Sequence, residues 1–138
     1  MDSPVALLTG CASGIGLHLA ERLGREGYRL VVTDIDEQGL RNAFQESKEF
    51  MVRVLDVRRA ESWQKLLEDV KSQWGQLDLL CNVAGYLKPG YLHQCETDEI
   101  HKHMEINAVG AMLGTRLAAE WMVAQGYGQI INIASLAE

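Results

Sequence analysis

Residues 5–16 read Val5-Ala6-Leu7-Leu8-Thr9-Gly10-Cys11-Ala12-Ser13-Gly14-Ile15-Gly16. An apolar run, a glycine-rich turn and the start of a segment with helical spacing describe a strand, a tight loop and a helix N-terminus in direct succession. The first amide groups of a helix have no carbonyl partner, and they point, with the positive end of the helix dipole, at one spot in front of the turn. That spot suits an anion, and glycine lets the backbone approach it without a Cβ in the way. The spacing G-x-x-x-G-x-G differs from G-x-G-x-x-G, and no Gly-Lys-Ser/Thr follows to make a P-loop.

Outward from this stretch the chain alternates short β-branched runs with longer segments of helical period. Strands are expected at 5–8, 30–33, 50–55, 77–83 and 129–133, and helices at 15–26, 37–46, 59–74 and 98–124, the last breaking near Asn107. Trp63, Leu66, Leu67, Val70 and Trp74 recur at the spacing of an amphipathic helix laid on a core. Gly27, Gly75 and Gly126 stand where helices should stop. Strands that alternate with helices build βαβ units, so the expected fold is α/β with a doubly wound parallel sheet. Ligands of such sheets sit outside the carboxyl ends of the strands where the strand order reverses, here after the first and fourth strands.

Composition agrees with one globular domain over 1–138. The chain has 47% hydrophobic and 23% charged residues, 13 Gly and 2 Pro, and a chain of this length buries roughly two thirds of its unfolded surface without disulfides or a metal. A net charge of −6 offers no basic footprint for nucleic acid or an anionic membrane. Three cysteines, Cys11, Cys81 and Cys95, show no CxxC spacing, which fits small buried hydrophobes in a reducing, cytoplasmic setting. No basic segment precedes an apolar stretch at the N-terminus, and no run of about 18 apolar residues occurs.

The second strand ends at Asp34, 18 residues beyond Gly16. A carboxylate there is placed to accept hydrogen bonds from an adenosine ribose and to repel a 2′-phosphate. No arginine in the turn or directly after Asp34 would neutralise such a phosphate, so NAD is expected over NADP. Asp36 is better placed than Asp34 to cap the next helix. Asp56, before Val57, could accept the adenine amino group or cap the helix that begins near Arg59.

The turn from Thr9 to Gly16, Asp34, the pair Asp56 and Val57, the segment Asn82-Val83-Ala84-Gly85, Asn107, and Asn132-Ile133-Ala134-Ser135 resemble, in order and spacing, the short-chain dehydrogenase/reductase family. The resemblance spans residues 5–138. It implies a Rossmann-like domain and an NAD(P)-dependent oxidoreductase acting on a small-molecule alcohol/carbonyl pair. By resemblance, Thr9, Gly10, Ser13, Gly14 and Gly16 belong to the pyrophosphate turn, and Ile15 packs near the cofactor. Asn82 to Gly85, with Ala84, steadies the central sheet and borders the adenosine side. Asn107 resembles the active-site asparagine that interrupts the long helix and holds a water of the proton relay. Ser135 resembles the serine that positions the substrate carbonyl.

One departure limits the functional expectation. The family's general acid/base is a tyrosine followed four positions later by a lysine, and Tyr28, Tyr86, Tyr91 and Tyr127 are followed at that distance by Val32, Gly90, Cys95 and Ile131. An unperturbed tyrosine with pKa about 10 needs a neighbouring cation to work near neutrality, and loss of positioned acid/base catalysis costs roughly 10² to 10⁴ in rate. The chain is therefore expected to be the N-terminal part of a longer dehydrogenase, with five of the family's seven strands and little turnover of its own. The family also implies a homo-oligomer of the full-length protein, paired through the long helix. His101 and His103 are expected as solvated helix residues rather than metal ligands, with no H-E-x-x-H pattern.

Overall fold

The structure, a computed structural model, describes residues 3–135. Five parallel strands form one sheet in the order β3-β2-β1-β4-β5: β1 Val5–Leu8, β2 Arg29–Asp34, β3 Phe50–Val54, β4 Leu79–Asn82 and β5 Gln129–Asn132. The chain steps outward from β1 to β3 and then returns to lay β4 on the other side of β1, with Leu7 paired to Val31 on one edge and to Leu80 on the other. The loops after β1 and β4 consequently part in opposite directions and leave a crevice at their carboxyl ends.

Alternation along the strands sends successive side chains to opposite faces. Val5, Leu7, Val31, Met51 and Leu80 join one core with Trp63, Leu66 and Val70 of α3 (Ala60–Trp74) and Ala118 and Met122 of α5 (Gly110–Gln125). Ala6, Leu8, Leu30, Val32 and Cys81 face the other core, with Ala20 of α1 (Gly14–Arg25) and Leu40 of α2 (Glu37–Ala43). Both faces are covered, which is why these strands read as continuous apolar runs. The doubly wound expectation holds, and α3 buries the stripe its spacing predicted. The helix α5 does so on one side only, since Met112 is 70% and Val123 81% exposed.

Most ends fall within a residue of expectation, and the larger differences have local reasons. The second helix ends at Ala43 because Phe44 turns extended, and the Glu46 carboxylate accepts the Val52 N–H at 2.8 Å and pairs with Arg53. The fourth strand starts at Leu79, since Leu77 bonds its N–H and carbonyl to the Gln125 side chain. The long helix splits into α4 (Thr97–Met104), a π-helical turn over Glu105–Val109 and α5. Asn107 lies in that turn, where the break was expected.

Cys11, Cys81 and Cys95 are free thiols. Burial pushes the Cys11 thiol up to about 12 and the Cys81 thiol to about 11. Cys11 and Cys81 fill space as small buried hydrophobes, whereas Cys95, expected to do the same, is only half-buried.

Candidate functional site

The carboxyl ends of β1 to β4 enclose a cavity of about 660 Å³. Its floor is the turn after β1. Gly10 has φ +70°, and a Cβ on it would meet the Ala84 Cα at 2.9 Å, so the turn and the β4 loop are in backbone contact. A Cβ on Gly16 would overlap the Gly10 carbonyl oxygen. Ser13 precedes α1 without a side-chain cap, and the first turn of α1 has no acidic residue. The helix N-terminus therefore keeps its positive end unmasked toward the cavity.

Two hydrogen-bond sets fix the walls. The Asp34 carboxylate accepts the Ala12 N–H and the Asp36 N–H, both at 2.9 Å, which ties the end of β2 to the glycine turn. Asp36 caps α2 by accepting the Gly39 N–H at 3.0 Å, as expected. The Thr9 hydroxyl accepts the Val83 and Ala84 N–H groups at 3.0 and 2.9 Å. Thr9 is buried and acts as the bolt between the β1 and β4 ends rather than as a cavity wall. Asn82, also buried, donates to Asn132 at 2.8 Å and to Thr115 at 3.2 Å, joining β4, β5 and α5 below the cavity.

Of the residues singled out from sequence, Gly10, Ser13, Ile15, Gly16, Asp34, Asp56, Val57, Ala84 and Gly85 line this cavity. Gly14 does not line it, although its φ of +58° shapes the same turn. Asn107 does not line it either. Its side-chain oxygen accepts the Tyr86 N–H at 2.7 Å and its amide donates to the Tyr86 carbonyl at 2.8 Å, clamping the loop after β4 to the π-turn. Ser135 lies two residues beyond Ile133, which does line the cavity.

Ile35, 62% exposed, Arg58, Lys102 and Ile106, which sequence reasoning missed, also line the cavity, as does Tyr86 of the loop after β4. Lys102 and Ile106 are four apart on successive turns, a spacing that puts them on one side of the helix, but only the sheet order brings that side to the cavity. Tyr86 is the one tyrosine that lines it, and its hydroxyl donates to Glu99 at 2.6 Å. That bond raises the phenol's pKa, the opposite of what a general base near neutrality needs. His103 is a correction: rather than solvated, it is half-buried, accepts the Lys88 N–H at Nε2 and packs edge-on against the Tyr86 ring. The bond at Nε2 puts the ring proton on Nδ1, which then donates to the Glu99 carbonyl.

Asp56 does not stand free in the cavity. Arg58 grips it, with Nε to Oδ1 at 2.9 Å and Nη2 to Oδ2 at 3.0 Å, and the Arg58 N–H adds a third bond to Oδ1. The guanidinium holds the Asp56 carboxyl below the ordinary aspartate range, as Arg53 does for Asp69. A carboxyl whose folded pKa is lowered contributes stability that is present above about pH 4 and lost as pH falls through the folded value. Thermal melts taken from about pH 7 to pH 2 should show this loss below about pH 4. Arg58→Gln should flatten it by removing the Asp56 share, and an unchanged acid limb would contradict the assignment.

Among the described residues no group of three or more His, Cys, Asp or Glu is placed to hold a metal ion, and no helix is long and apolar enough to cross a membrane.

A family model described as short chain dehydrogenase matches residues 4–138. A Streptomyces coelicolor protein named "Putative ketoacyl reductase" is 41% identical over 97% of this chain and 54% of its own length. The 2,5-dichloro-2,5-cyclohexadiene-1,4-diol dehydrogenase LinX of Sphingobium indicum is 33% identical over 96% of this chain and 54% of its own. The crystal structure of gox2181 superposes with a TM-score of 0.91 at 28% identity, covering 99% of this chain and 55% of that one. The chain thus spans about half the length of the relatives it matches.

Proposed function

Because the chain belongs to the short-chain dehydrogenase family, we propose that residues 1–138 form one dinucleotide-binding domain of an NAD-dependent oxidoreductase acting on a small alcohol/carbonyl pair. The family uses nicotinamide cofactors and its members here are dehydrogenases and reductases. The observation that carries the reading is the cavity itself, in which an uncapped helix N-terminus and the Asp34 carboxylate lie on one continuous wall. The donor set fits the group: amides for a diphosphate, a carboxylate for a ribose diol, and glycines where a Cβ would close the approach. A nicotinamide cofactor bound there supplies the hydride chemistry.

This chain's own residues bind and orient. Gly10, Ser13, Ile15 and Gly16 present backbone to the diphosphate in a turn that Gly14 shapes through its positive φ, while Asp34 accepts from the ribose and disfavours a 2′-phosphate. Asp56 and Val57 border the base, Ala84 and Gly85 border the adenosine side, and Thr9 and Asn82 hold that border in place. Asn107 and Ser135 are assigned to the catalytic end on the family resemblance, Asn107 by fixing the Tyr86 loop and Ser135 by its hydroxyl beyond β5. The only tyrosine on the cavity, Tyr86, is committed to Glu99, so the 138 residues alone bind dinucleotide with little turnover. Three unpaired thiols fit a cytoplasmic setting, and the exposed Met112 and Val123 of α5 fit pairing of the full-length protein with its own copy.

Calorimetric titration with NADH and NADPH tests the cofactor assignment. NADH should bind more tightly. Asp34→Asn, which keeps an acceptor for the Ala12 N–H, should weaken NADH roughly 10- to 100-fold, the worth of hydrogen bonds to a charged group, and narrow the gap to NADPH. A wild-type preference for NADPH would overturn the assignment, and absence of binding to either at millimolar concentration would remove the dinucleotide reading.

A further inference from the structure

The sheet order leaves one side of β3 without a neighbouring strand. In a parallel pair, alternate residues of a strand bond to the neighbour and the rest turn their backbone groups the other way. The Leu30 N–H donates to the Glu49 carbonyl at 2.8 Å and the Leu55 N–H to the Asp34 carbonyl at 3.1 Å. Glu49, Met51, Arg53 and Leu55 therefore face β2, and the backbone groups of Phe50, Val52 and Val54 point outward. Such a row of outward groups is a template on which a strand of another chain can pair.

Here the chain covers most of that row itself. The Phe50 carbonyl accepts the Ser47 N–H at 3.0 Å, and the Ser47 hydroxyl accepts the Phe50 N–H at 3.2 Å. At Val52, Glu46 Oε2 accepts the N–H at 2.8 Å and Arg53 Nη1 donates to the carbonyl at 3.0 Å. The same Nη1 donates to Glu46 Oε1 at 2.8 Å, and Arg53 Nε donates to the Asp69 carboxylate of α3 at 2.7 Å. A carboxylate and a guanidinium thus stand side by side where the carbonyl and N–H of a paired strand would lie. Neither fills the core, since the Glu46 side chain is 48% and that of Arg53 27% exposed.

We infer that Ser47, Glu46 and Arg53 form a guard that closes the β3 edge, and that the occupant it excludes is the β3 edge of a second copy of this chain. Two identical edges can pair antiparallel about a two-fold axis, each supplying the groups that the other lacks. Val52 is the middle residue of the five-residue strand, so side chains seated on its backbone block the centre of such a pairing. The inference does not depend on what the cavity binds.

Hydrogen exchange and sedimentation of the 138-residue chain test it together. In the unsubstituted chain the Val52 amide should exchange about as slowly as those of Met51 and Arg53, although it faces away from β2. In dilute solution Glu46→Ala should speed that exchange roughly 10- to 100-fold, the worth of a hydrogen bond to a charged group. At high concentration the same variant should sediment with a mass approaching twice that of the wild type. Glu46→Gln keeps the acceptor oxygen and should stay near the wild type in mass. Val54→Pro added to Glu46→Ala should restore the wild-type mass, because proline on an edge strand removes an outward N–H without costing a bond to β2. Wild-type exchange at Val52 as fast as at an unbonded surface amide would overturn the guard before any variant is made, so a Glu46→Ala chain that fails to fold does not remove the test. A folded Glu46→Ala chain of unchanged mass, or an association that Val54→Pro leaves in place, would overturn it as well.

Discussion

Trp63→Ala should lower the unfolding free energy by about 3–5 kcal/mol, the cost of emptying a buried aromatic site. Trp63 is fully buried and is the largest side chain in the core. It bridges three elements: it belongs to α3, its Nε1 donates to the Val57 carbonyl at 2.9 Å, and a Cβ on Gly114 of α5 would lie 2.5 Å from its ring. Gly114 has no side chain of its own to fill the space that the ring vacates. Trp63→Phe retains most of the volume but orphans the Val57 carbonyl, so its loss should be nearer the 1–3 kcal/mol of an unsatisfied buried group. Urea denaturation checks both values, and a loss under about 1 kcal/mol for the alanine variant would contradict the packing argument. Both variants should also weaken dinucleotide binding, because Val57 carries the loop that holds Asp56 and Arg58 in the cavity.

Gly16→Ala should cost about 1–3 kcal/mol of stability and more than tenfold in NADH affinity. The added methyl would run into the Gly10 carbonyl oxygen, with the Gly10 carbonyl carbon at 2.7 Å and the Cys11 Cα at 3.2 Å. All three are backbone atoms, so relief requires opening the turn. Opening is resisted in turn by the Cys11 N–H bond to Thr33 and the Ala12 N–H bond to Asp34, each 2.9 Å. Gly14→Ala is the control. It faces open space, and only its φ of +58° opposes a side chain, at roughly 1–2 kcal/mol. Equal effects of the two substitutions on NADH affinity would contradict a contact-limited turn.

The sequence made the sheet legible because its signals are local. The β-branched runs, the stripe of α3 and the glycine turn each announce themselves within a dozen residues. Cavity residues on the glycine turn and on the ends of β2 and β4 were legible for the same reason. The role of Asp56 was not, because the fork that occupies it depends on how Arg58 folds back, which no spacing rule predicts. Nor was His103, whose partners Lys88 and Tyr86 reach it only once the loop after β4 lies along α4. Thr9 looked like part of the anion turn, yet its hydroxyl faces Val83 and Ala84, a pairing 74 and 75 residues away in the chain. Long-range geometry decided each of these cases.

That same distance bears on how the molecule assembles. Leu7 joins Val31 across a 24-residue separation but Leu80 across 73 residues. The longer closure costs only about 1 kcal/mol more in chain entropy, but non-local pairings of this kind are the slow ones to form. The crevice beside β1 needs β4 in place, so on the proposed dinucleotide reading the ability to capture a dinucleotide should emerge late in refolding, after β1 and β2 have met. On that reading ligand capture should report completed folding, and a stopped-flow signal from bound NADH should lag the recovery of helical circular dichroism.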